Sequence, residues 1–488
     1  MGAITHRIEK VFVEVNTGSL ESATFIKNNI SRFLETSVFP KLEQTLDEFN
    51  QTGRVARIDS LNLNIAIPRD DYFSALEAEI PKQFSAKMKS KIDFADIQAD
   101  RETSGKGVEI ISAENNREEV FLFFLKNGYL PWFGTENDVR EFLQPENWKK
   151  SLENQGFVFR LKNLLKSDRR VAERFILQLN GKAILSFMMK SSLKFQKAES
   201  ELSAALHRFP QKVREHFMHF LLMVSLEEKR EVLVETASRL ANAWQETIGE
   251  KENQTEVLLT ALNGVFQVMN WNSEAEKREF EEILFTSFKQ DKREIAELAA
   301  TEVLNHFHPK SEKKKDLFFE NNEGEISVQN AGLVLLHPFL KSFFKAVKFL
   351  DEKDIIKPEA LQEAVQTLHY LATGNEEFFE GNLVFEKFLC GIPLKMPVER
   401  KSRLTEPTNS ETIQLLKEVI RQWPALKNTS PGGFQQMFLQ RNGKLFKKEK
   451  NYKLIVERKA QDILLDKLDW NISLVKIPWL KELVFVEW

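Results

Sequence analysis

The stretch Ser-Glu-Ala-Glu-Lys-Arg-Glu-Phe (273–280) carries the pattern that decides the fold class of this chain. It begins with a serine that is followed three residues later by a glutamate, so two otherwise unpaired helix amides can be satisfied reciprocally. Ser225 with Glu228 repeats this spacing. Both patterns predict the start of a helix, and residues 118 to about 307 keep a helical period throughout. The centre of the chain is therefore predicted to be α-helical.

Glycine and proline residues divide this central region into short pieces. Their spacing fits helices of ordinary length, which predicts an array of stacked short helices and argues against one long rod. The sequence shows no repeat of fixed period. The residues that break the helical pattern are Gly128, Pro131, Gly134, Pro145, Gly156, Gly181, Pro210, Gly249 and Gly264.

Two segments near the N-terminus alternate between apolar and polar residues. Residues 8–15 place Val11, Val13 and Val15 on one side, and residues 61–67 alternate leucine or isoleucine with asparagine or alanine. An alternation of period two is typical of a strand with one buried face. We therefore predict a strand in each segment.

Helical stripes fill the rest of the first 92 residues. One lies between the two predicted strands with a kink or break expected at Pro40, and the other follows them with a break expected near Pro81. The order strand, helix, strand, helix predicts a small α/β unit over residues 1–92. Residues 93–117 are polar and contain glycine, so they are predicted to be a linker with one short strand at 108–111.

The C-terminal third again mixes helices and strands. Residues 444–447 and 452–456 flank a Lys-Glu-Lys-Asn turn, which predicts a β-hairpin. Two further short strands are expected at 472–475 and 483–486. Helices are expected at 333–349, 358–372, 411–421 and 460–468 and after Pro431.

These patterns predict a fold that is mainly α with α+β ends. It consists of a small N-terminal α/β unit, a central array of short helices and a C-terminal domain of mixed helix and β-hairpin. The predicted boundaries are 1–92 for the N-terminal α/β domain, 93–117 for a linker, 118–308 for the helical array, 309–324 for a charged linker and 325–488 for the C-terminal α+β domain.

Composition limits the functional classes. The 488 residues are 42% hydrophobic and 29% charged, which is ordinary globular material for two or three domains. Lys plus Arg (69) and Asp plus Glu (72) nearly cancel, so the net charge favours neither nucleic acid nor an anionic membrane. The most apolar stretches, 120–125 and 331–340, are far shorter than the roughly 20 residues of a membrane span. A single cysteine and the absence of a signal-like N-terminus predict synthesis in the cytoplasm without an internal disulfide.

A few side chains suggest chemistry. His216 and His219 beside Glu215 could share one helix face and bind a metal, although neutral histidines on a phenylalanine-rich helix explain the same pattern. Cys390 lies among apolar residues, which raise the pKa of a thiol and reduce its reactivity. His337 stands in an apolar segment and is expected to be a buried, hydrogen-bonded imidazole.

The remaining polar clusters fit structural roles. His306 and His308 are expected to cap a helix end, and Asp70 with Asp71 to begin one. The lysine run at 313–315 lacks the interleaved aromatic residues of a nucleic-acid site. Nucleophile elbows, phosphate-binding loops, dinucleotide fingerprints and paired-cysteine knuckles are absent from the sequence. We therefore predict no catalytic, cofactor-binding or metal residues, no cofactor and no enzyme activity.

Several unusual sequence motifs, called words below, occur at both ends of the chain. In their order they resemble the tape measure family of extracellular contractile injection systems, whereas residues 135–310 resemble it only in being helical. The words are His-Arg-Ile-Glu-Lys (6–10), Arg-Ile-Asp-Ser-Leu (57–61), Leu-Lys-Asn-Gly-Tyr-Leu-Pro-Trp (125–132), Gln-Asn-Ala-Gly-Leu-Val-Leu-Leu-His-Pro-Phe-Leu (329–340), Leu-Ala-Thr-Gly (371–374), Trp-Pro-Ala-Leu-Lys-Asn-Thr-Ser (423–430) and Ser-Leu-Val-Lys-Ile-Pro-Trp-Leu (473–480).

The resemblance implies a structural or assembly role in a phage-tail-like particle with a contractile sheath and an inner tube. The resemblance also implies that the chain associates with the growing tube and sets the tube's length, as a ruler would. The implied partners are inner-tube proteins and baseplate hub or tube-end proteins, without nucleic acid or membrane insertion, and self-association stays open. The implied location is the cytoplasm at synthesis and then the particle, with the tube lumen as one position.

Chain length restricts the ruler interpretation. The roughly 190 central residues would reach about 290 Å as one helix, and the helix breakers argue against that helix. Three interpretations stay open: a short particle, central helices that unpack inside the tube, or action at a tube end. The rival functions are a cap, adaptor or assembly chaperone of the same particle and, more weakly, a metal-dependent hydrolase that uses His216 and His219.

Overall fold

The computed structural model describes residues 6–49, 53–67, 72–99, 107–196, 202–204, 206, 209–248, 264–267, 269–289, 318–319, 324–400, 403–426 and 428–488. The chain forms two compact units, Met1–Val120 with Trp132–Thr135 and Phe121–Pro131 with Glu136–Trp488. The described residues are mainly helical with two small sheets, which confirms the predicted fold class. No helix in these ranges is both long and apolar enough to cross a membrane.

The first unit packs three helices beside a two-stranded antiparallel sheet. Its core is formed by Phe33, Val38, Leu42, Phe84 and Met88. The elements are α1 (Leu20–Phe33), α2 (Phe39–Glu48), β1 (Arg54–Ile58), α3 (Tyr72–Ala99), β2 (Val108–Ser112) and the first half of α4 (Ala113–Asn127).

Both strands predicted at the N-terminus are wrong. Residues 8–15 lie outside any strand, and the Phe12 side chain is 81% exposed. The strand that pairs with β2 is β1, a few residues before the predicted segment 61–67. Leu61 and Leu63 instead pack against the core from outside the sheet. An alternation of apolar and polar residues indicates that one side of a segment is packed. A strand also needs a second strand to pair with, and the pattern does not reveal which segment that is.

Pro40 and Pro81, the two prolines at which a helix break is predicted, act differently. A π-helical turn, Leu34–Val38, separates α1 from α2, whose second residue is Pro40, and this confirms the expected interruption. Pro81 lies inside α3, which continues to Ala99, so the predicted break is wrong. The turns after Pro81 bury Phe84 and Met88, and this packing holds the helix together across the lost hydrogen bond.

The second unit begins with the predicted array of short helices. Their first turns are capped locally: the side chains of Asn154, Asp168 and Asn180 each accept hydrogen bonds from backbone amides that follow them. The helices after α4 are α5 (Glu136–Phe142), α6 (Pro145–Glu153), α7 (Gln155–Ser167), α8 (Arg169–Gln178), α9 (Gly181–Ser191), α10 (Gln211–Ser225), α11 (Arg230–Ile248) and α12 (Glu274–Lys289).

One of the two predicted serine caps is correct. The Glu276 amide donates to the Ser273 hydroxyl at 3.1 Å, and α12 begins at the next residue. Ser225, in contrast, is the last residue of α10, and its hydroxyl donates to the Leu222 carbonyl at 2.7 Å. The apolar residues before Ser225 are buried as one continuous helix, so tertiary packing overrides the capping pattern.

The C-terminal part of the second unit combines helices with a five-stranded sheet. The sheet order is β3-β4-β5-β7-β6, and only the β5 and β7 neighbours within it run parallel. The strands are β3 (Gly324–Val328), β4 (Gly443–Lys448), β5 (Asn451–Val456), β6 (Leu474–Val475) and β7 (Val484–Glu487). The α-helices are α13 (His337–Ala346), α14 (Leu361–Thr373), α15 (Val384–Leu389), α16 (Glu406–Gln422) and α17 (Pro431–Phe434).

These elements confirm the predicted hairpin and the predicted C-terminal helices and strands. The helix expected at 460–468 is a 3-10 helix, Ala460–Lys467. Most of the predicted charged linker, 309–324, lies outside the described residues.

Candidate functional site

Of the two histidines on α10, His219 is buried and His216 is partly buried. Burial, with smaller contributions from Arg169 and His216, lowers the pKa of His219 to about 3. Burial also lowers the pKa of His216. Both imidazoles are therefore neutral at pH 7, and the described ranges contain no group of three or more His, Cys, Asp or Glu residues that could hold a metal.

The buried imidazole of His219 predicts a loss of stability in acid. Between about pH 3 and 6.5 the unfolded chain binds a proton at this position and the folded chain does not, so the free energy of unfolding falls as the pH falls through this window. His219→Leu should lose less stability than the wild type between pH 7 and pH 4 in denaturant titrations. Met218→Leu, a buried uncharged change on the same helix, should keep the wild-type pH dependence. Equal slopes for His219→Leu and wild type would contradict this assignment.

The other candidate residues lie in structural positions or outside the described residues. Cys390 is buried, and burial followed by the charge of Glu386 raises the pKa of its thiol well above the usual value, so the thiol stays protonated. His337 is half-buried, and its Nε2 lies 2.9 Å from the Asn471 carbonyl. The remaining candidates, His306, His308, Asp70, Asp71 and the lysines at 313–315, fall outside the described residues.

The most unusual side-chain arrangement of the second unit is a buried charge cluster of Arg174, Glu380 and Lys387. Arg174 Nε donates to Glu380 Oε1 at 3.0 Å, and Lys387 Nζ donates to the same oxygen at 2.7 Å. All three side chains are almost completely shielded from solvent. Two cations thus share one carboxylate oxygen inside the protein.

Backbone carbonyls complete the coordination of both cations. Arg174 donates to the carbonyls of Leu125 at 2.5 Å and Lys395 at 2.7 Å. Lys387 donates to the carbonyls of Leu394 at 3.0 Å and Met396 at 2.8 Å. These dipoles compensate part of the excess positive charge. Burial nevertheless lowers the pKa of Lys387 to about 8, with Glu380 opposing and Arg174 adding to that effect.

The cluster joins segments that are far apart in the sequence. Arg174 belongs to α8, Glu380 begins the short 3-10 helix Glu380–Asn382, and Lys387 belongs to α15. The helical array and the C-terminal elements are therefore packed as one body in this unit.

Gly128 allows the backbone at the end of α4 to lie close to the Arg174 side chain of this cluster. Its φ angle is +77°, in the left-handed region, and a Cβ atom there would lie 2.4 Å from the Leu394 carbonyl oxygen and 2.6 Å from Arg174 Nη2. The word Leu-Lys-Asn-Gly-Tyr-Leu-Pro-Trp (125–132) thus encodes a packing site beside the buried charges.

The C-terminal words of the resemblance also encode close packing. The Trp423 indole N–H donates to the Leu464 carbonyl at 3.2 Å. The Trp479 indole N–H donates to the Leu389 carbonyl at 2.7 Å, and its ring stacks on Phe344 at 5.1 Å between centroids. Each tryptophan buries apolar area while its polar atom is satisfied.

Sequence reasoning missed the charge cluster, although one signal was present. Arg174 and Glu380 are 206 residues apart, so no local pattern joins them. However, the run Val-Phe-Glu-Lys-Phe-Leu-Cys (384–390) places two charged residues inside an apolar helix. Charged residues are almost never fully buried unless they are paired, so this run indicated a hidden partner.

The model of the contractile injection system tape measure protein family matches residues 5–488. No curated protein and no solved structure matches the chain. The family match confirms the resemblance carried by the two ends and extends it across the middle. It also confirms a structural or assembly role and gives no support to a metal-dependent hydrolase. The chain belongs to the contractile injection system tape measure protein family.

Proposed function

We propose that this protein sets the length of the inner tube of a contractile injection particle while its second unit stays folded, and that it does so by binding and without catalysis. The observation that carries this proposal is the buried cluster of Arg174, Glu380 and Lys387, which ties the helical array to the C-terminal elements. A folded array is difficult to reconcile with a straightened central helix that spans the tube.

The energetic argument rests on the buried charges. Unpacking α8 from the 3-10 helix Glu380–Asn382 would separate Arg174 from Glu380 and leave both charges without their partner until water reached them. Breaking a buried ion pair typically costs about 3–5 kcal/mol, a large share of the 5–15 kcal/mol that stabilises a domain. Straightening α5 to α8 into one helix would also expose the aromatic cluster of Phe142, Trp148, Phe157 and Phe175, which packs between these helices.

The proposed partners are inner-tube proteins and baseplate hub or tube-end proteins. In this proposal the chain is made in the cytoplasm and then joins the growing particle, with the tube lumen as one position. The folded units provide the contact surfaces, and the predicted linker at 309–324 connects the helical array to the C-terminal domain.

The experiment compares particles made with no tape measure chain and with a lengthened one. Deleting the chain should produce tubes of variable length. A helical insert of about 20 residues at the turn before α11, beside Glu227, should leave the particle length unchanged, whereas a ruler that works by its contour would add about 30 Å. Particle lengths are measured by electron microscopy, and circular dichroism checks that the insert leaves the fold intact.

Three results would change the proposal. A length that grows with the insert would indicate an extended ruler. Particles of normal, uniform length without the chain would remove any role in length control. The absence of all particles without the chain, together with insensitivity to the insert, would favour a cap, adaptor or assembly chaperone.

A further inference from the structure

The outer face of the C-terminal sheet presents an ordered row of side chains to solvent. Cross-strand pairing places Glu325 opposite Phe446, Phe446 opposite Lys453, Lys453 opposite Phe485 and Phe485 opposite Leu474. Directly opposite side chains on one face lie within contact range. The row therefore crosses the whole sheet from β3 to β6.

Apolar side chains form the centre of this outer face. Phe446 and Ile455 are partly exposed, Phe485 is 44% exposed and Leu474 is 46% exposed. Single exposed apolar residues are common on protein surfaces, but these four belong to neighbouring strands of one face. A contiguous patch of this kind is typical of an interaction site.

The face is not needed to cover the core. The opposite face of the sheet already buries Leu445, Tyr452, Leu454 and Val484 in the core of the C-terminal part of this unit. The outer apolar side chains thus contribute little to folding in the free protein.

The charges on this outer face are divided into paired and unpaired groups. Lys444 pairs with Glu325, and Lys453 pairs with Glu487 at 2.5 Å, so the two carboxylates are already compensated. Lys448 is exposed at the end of β4 and forms no ion pair with the described residues. The excess charge beside the apolar centre is therefore positive.

A shallow hollow of about 230 Å³ lies at the junction of the apolar and positive parts. It is lined by Phe446, Lys447, Lys448, Lys453 and Ile455. Lys447 belongs to the opposite face, where its ammonium lies 4.1 Å from the centre of the Tyr452 ring, so Lys448 and Lys453 form the lysine rim of the hollow. The hollow is of a size to accept one apolar side chain, and the excess positive charge of Lys448 at its edge favours carboxylates around that side chain.

We propose that the outer face of the C-terminal sheet, centred on Phe446, Ile455 and Phe485, docks a different protein of the particle through an apolar side chain flanked by carboxylates. The proposal deepens the proposed function because it assigns one contact surface to one partner chemistry, an acidic apolar segment. The apolar centre supplies most of the affinity, and the lysine rim supplies orientation and rejects basic surfaces.

The test uses photo-crosslinking in cells that produce the whole particle. A benzoylphenylalanine at position 485 of the full chain should crosslink to one particle protein, and mass spectrometry should place the linked peptide in a segment rich in Asp and Glu. The matched control places the same probe at position 159, where the native phenylalanine on α7 is 66% exposed. Equal yields at both positions, a crosslink to a second copy of this chain, or linkage to a basic segment would overturn the proposal.

A charge variant tests the lysine rim separately. With the probe at position 485, Lys448→Glu should lower the crosslink yield about ten-fold, because it places a like charge against the carboxylates. Lys467→Glu makes the same change at an exposed position in the 3-10 helix Ala460–Lys467 and should keep the full yield. An unchanged yield in Lys448→Glu would refute the acidic partner.

Particle length distinguishes this inference from the proposed function. If the probe at position 485 captures no partner while deletion of the chain still makes tube length variable, the docking surface is wrong and the length role stands. If the partner is captured but tube length does not depend on the chain, the docking surface stands and the length role is wrong.

Discussion

Glu380→Gln should lower the free energy of unfolding of the full chain by about 3–5 kcal/mol. The amide keeps the shape of the side chain and one acceptor oxygen, but it removes the only negative charge in the buried charge cluster. Arg174 and Lys387 then face each other as two cations without solvent to screen them. Denaturant titration with far-UV circular dichroism measures the loss, as a lower midpoint at an unchanged slope.

A matched substitution and a compensating one make this result specific. Glu418→Gln removes a carboxylate that pairs with Arg421 on the surface of α16, and it should leave the midpoint unchanged because solvent screens that pair. Adding Lys387→Met to Glu380→Gln should recover part of the loss, since one of the two opposed cations is removed. If Glu380→Gln behaves like Glu418→Gln, the cluster does not hold the array to the C-terminal elements.

Reasoning from sequence succeeds in this chain where the signal is local. Helix positions at 333–349 and 358–372, the hairpin around residues 444–456 and the cap at Ser273 follow from local patterns, and each is confirmed. Such features depend on residues a few positions apart, so the sequence contains the whole signal.

The failures have a common physical cause. The strand predicted at 8–15 has the right composition but no pairing partner, and Ser225 has the right spacing but lies in a helix that packing extends. The buried charge cluster depends on a contact across 206 residues. In each case the deciding interaction is tertiary, and local periodicity does not contain it.

The structure gives a physical role to one of the C-terminal words that resemble the family. In Gln-Asn-Ala-Gly (329–332), Asn330 adopts a left-handed conformation with φ of 53°, and its side-chain amide donates to the buried Glu386 at 2.7 Å. Gly332 lies directly against the backbone of the π-helical turn Gln435–Leu439. This word therefore specifies close backbone packing, which suits a protein that acts by shape and contact.

Gly332→Ala tests this view and should be strongly destabilising. A Cβ atom at position 332 would lie 1.7 Å from the Phe438 carbonyl oxygen and 2.7 Å from its carbonyl carbon, and backbone atoms cannot rotate away as a side chain can. Overpacking in a core typically costs about 1–3 kcal/mol, and we expect the upper end or more because the backbone of the π-helical turn must move. The measurement is the shift of the unfolding midpoint in denaturant.

Gly432→Ala is the matched control, because nothing lies within 4 Å of the added methyl group and its φ angle is not in the left-handed region. The position belongs to the short helix α17, so alanine should be neutral or stabilise the chain by about 0.4–1 kcal/mol through a less flexible unfolded state. If Gly332→Ala were as stable as Gly432→Ala, the 3-10 helix Ala331–Leu336 would not touch the π-helical turn. The word Gln-Asn-Ala-Gly would then need an explanation outside packing, such as a direct contact with a partner in the particle.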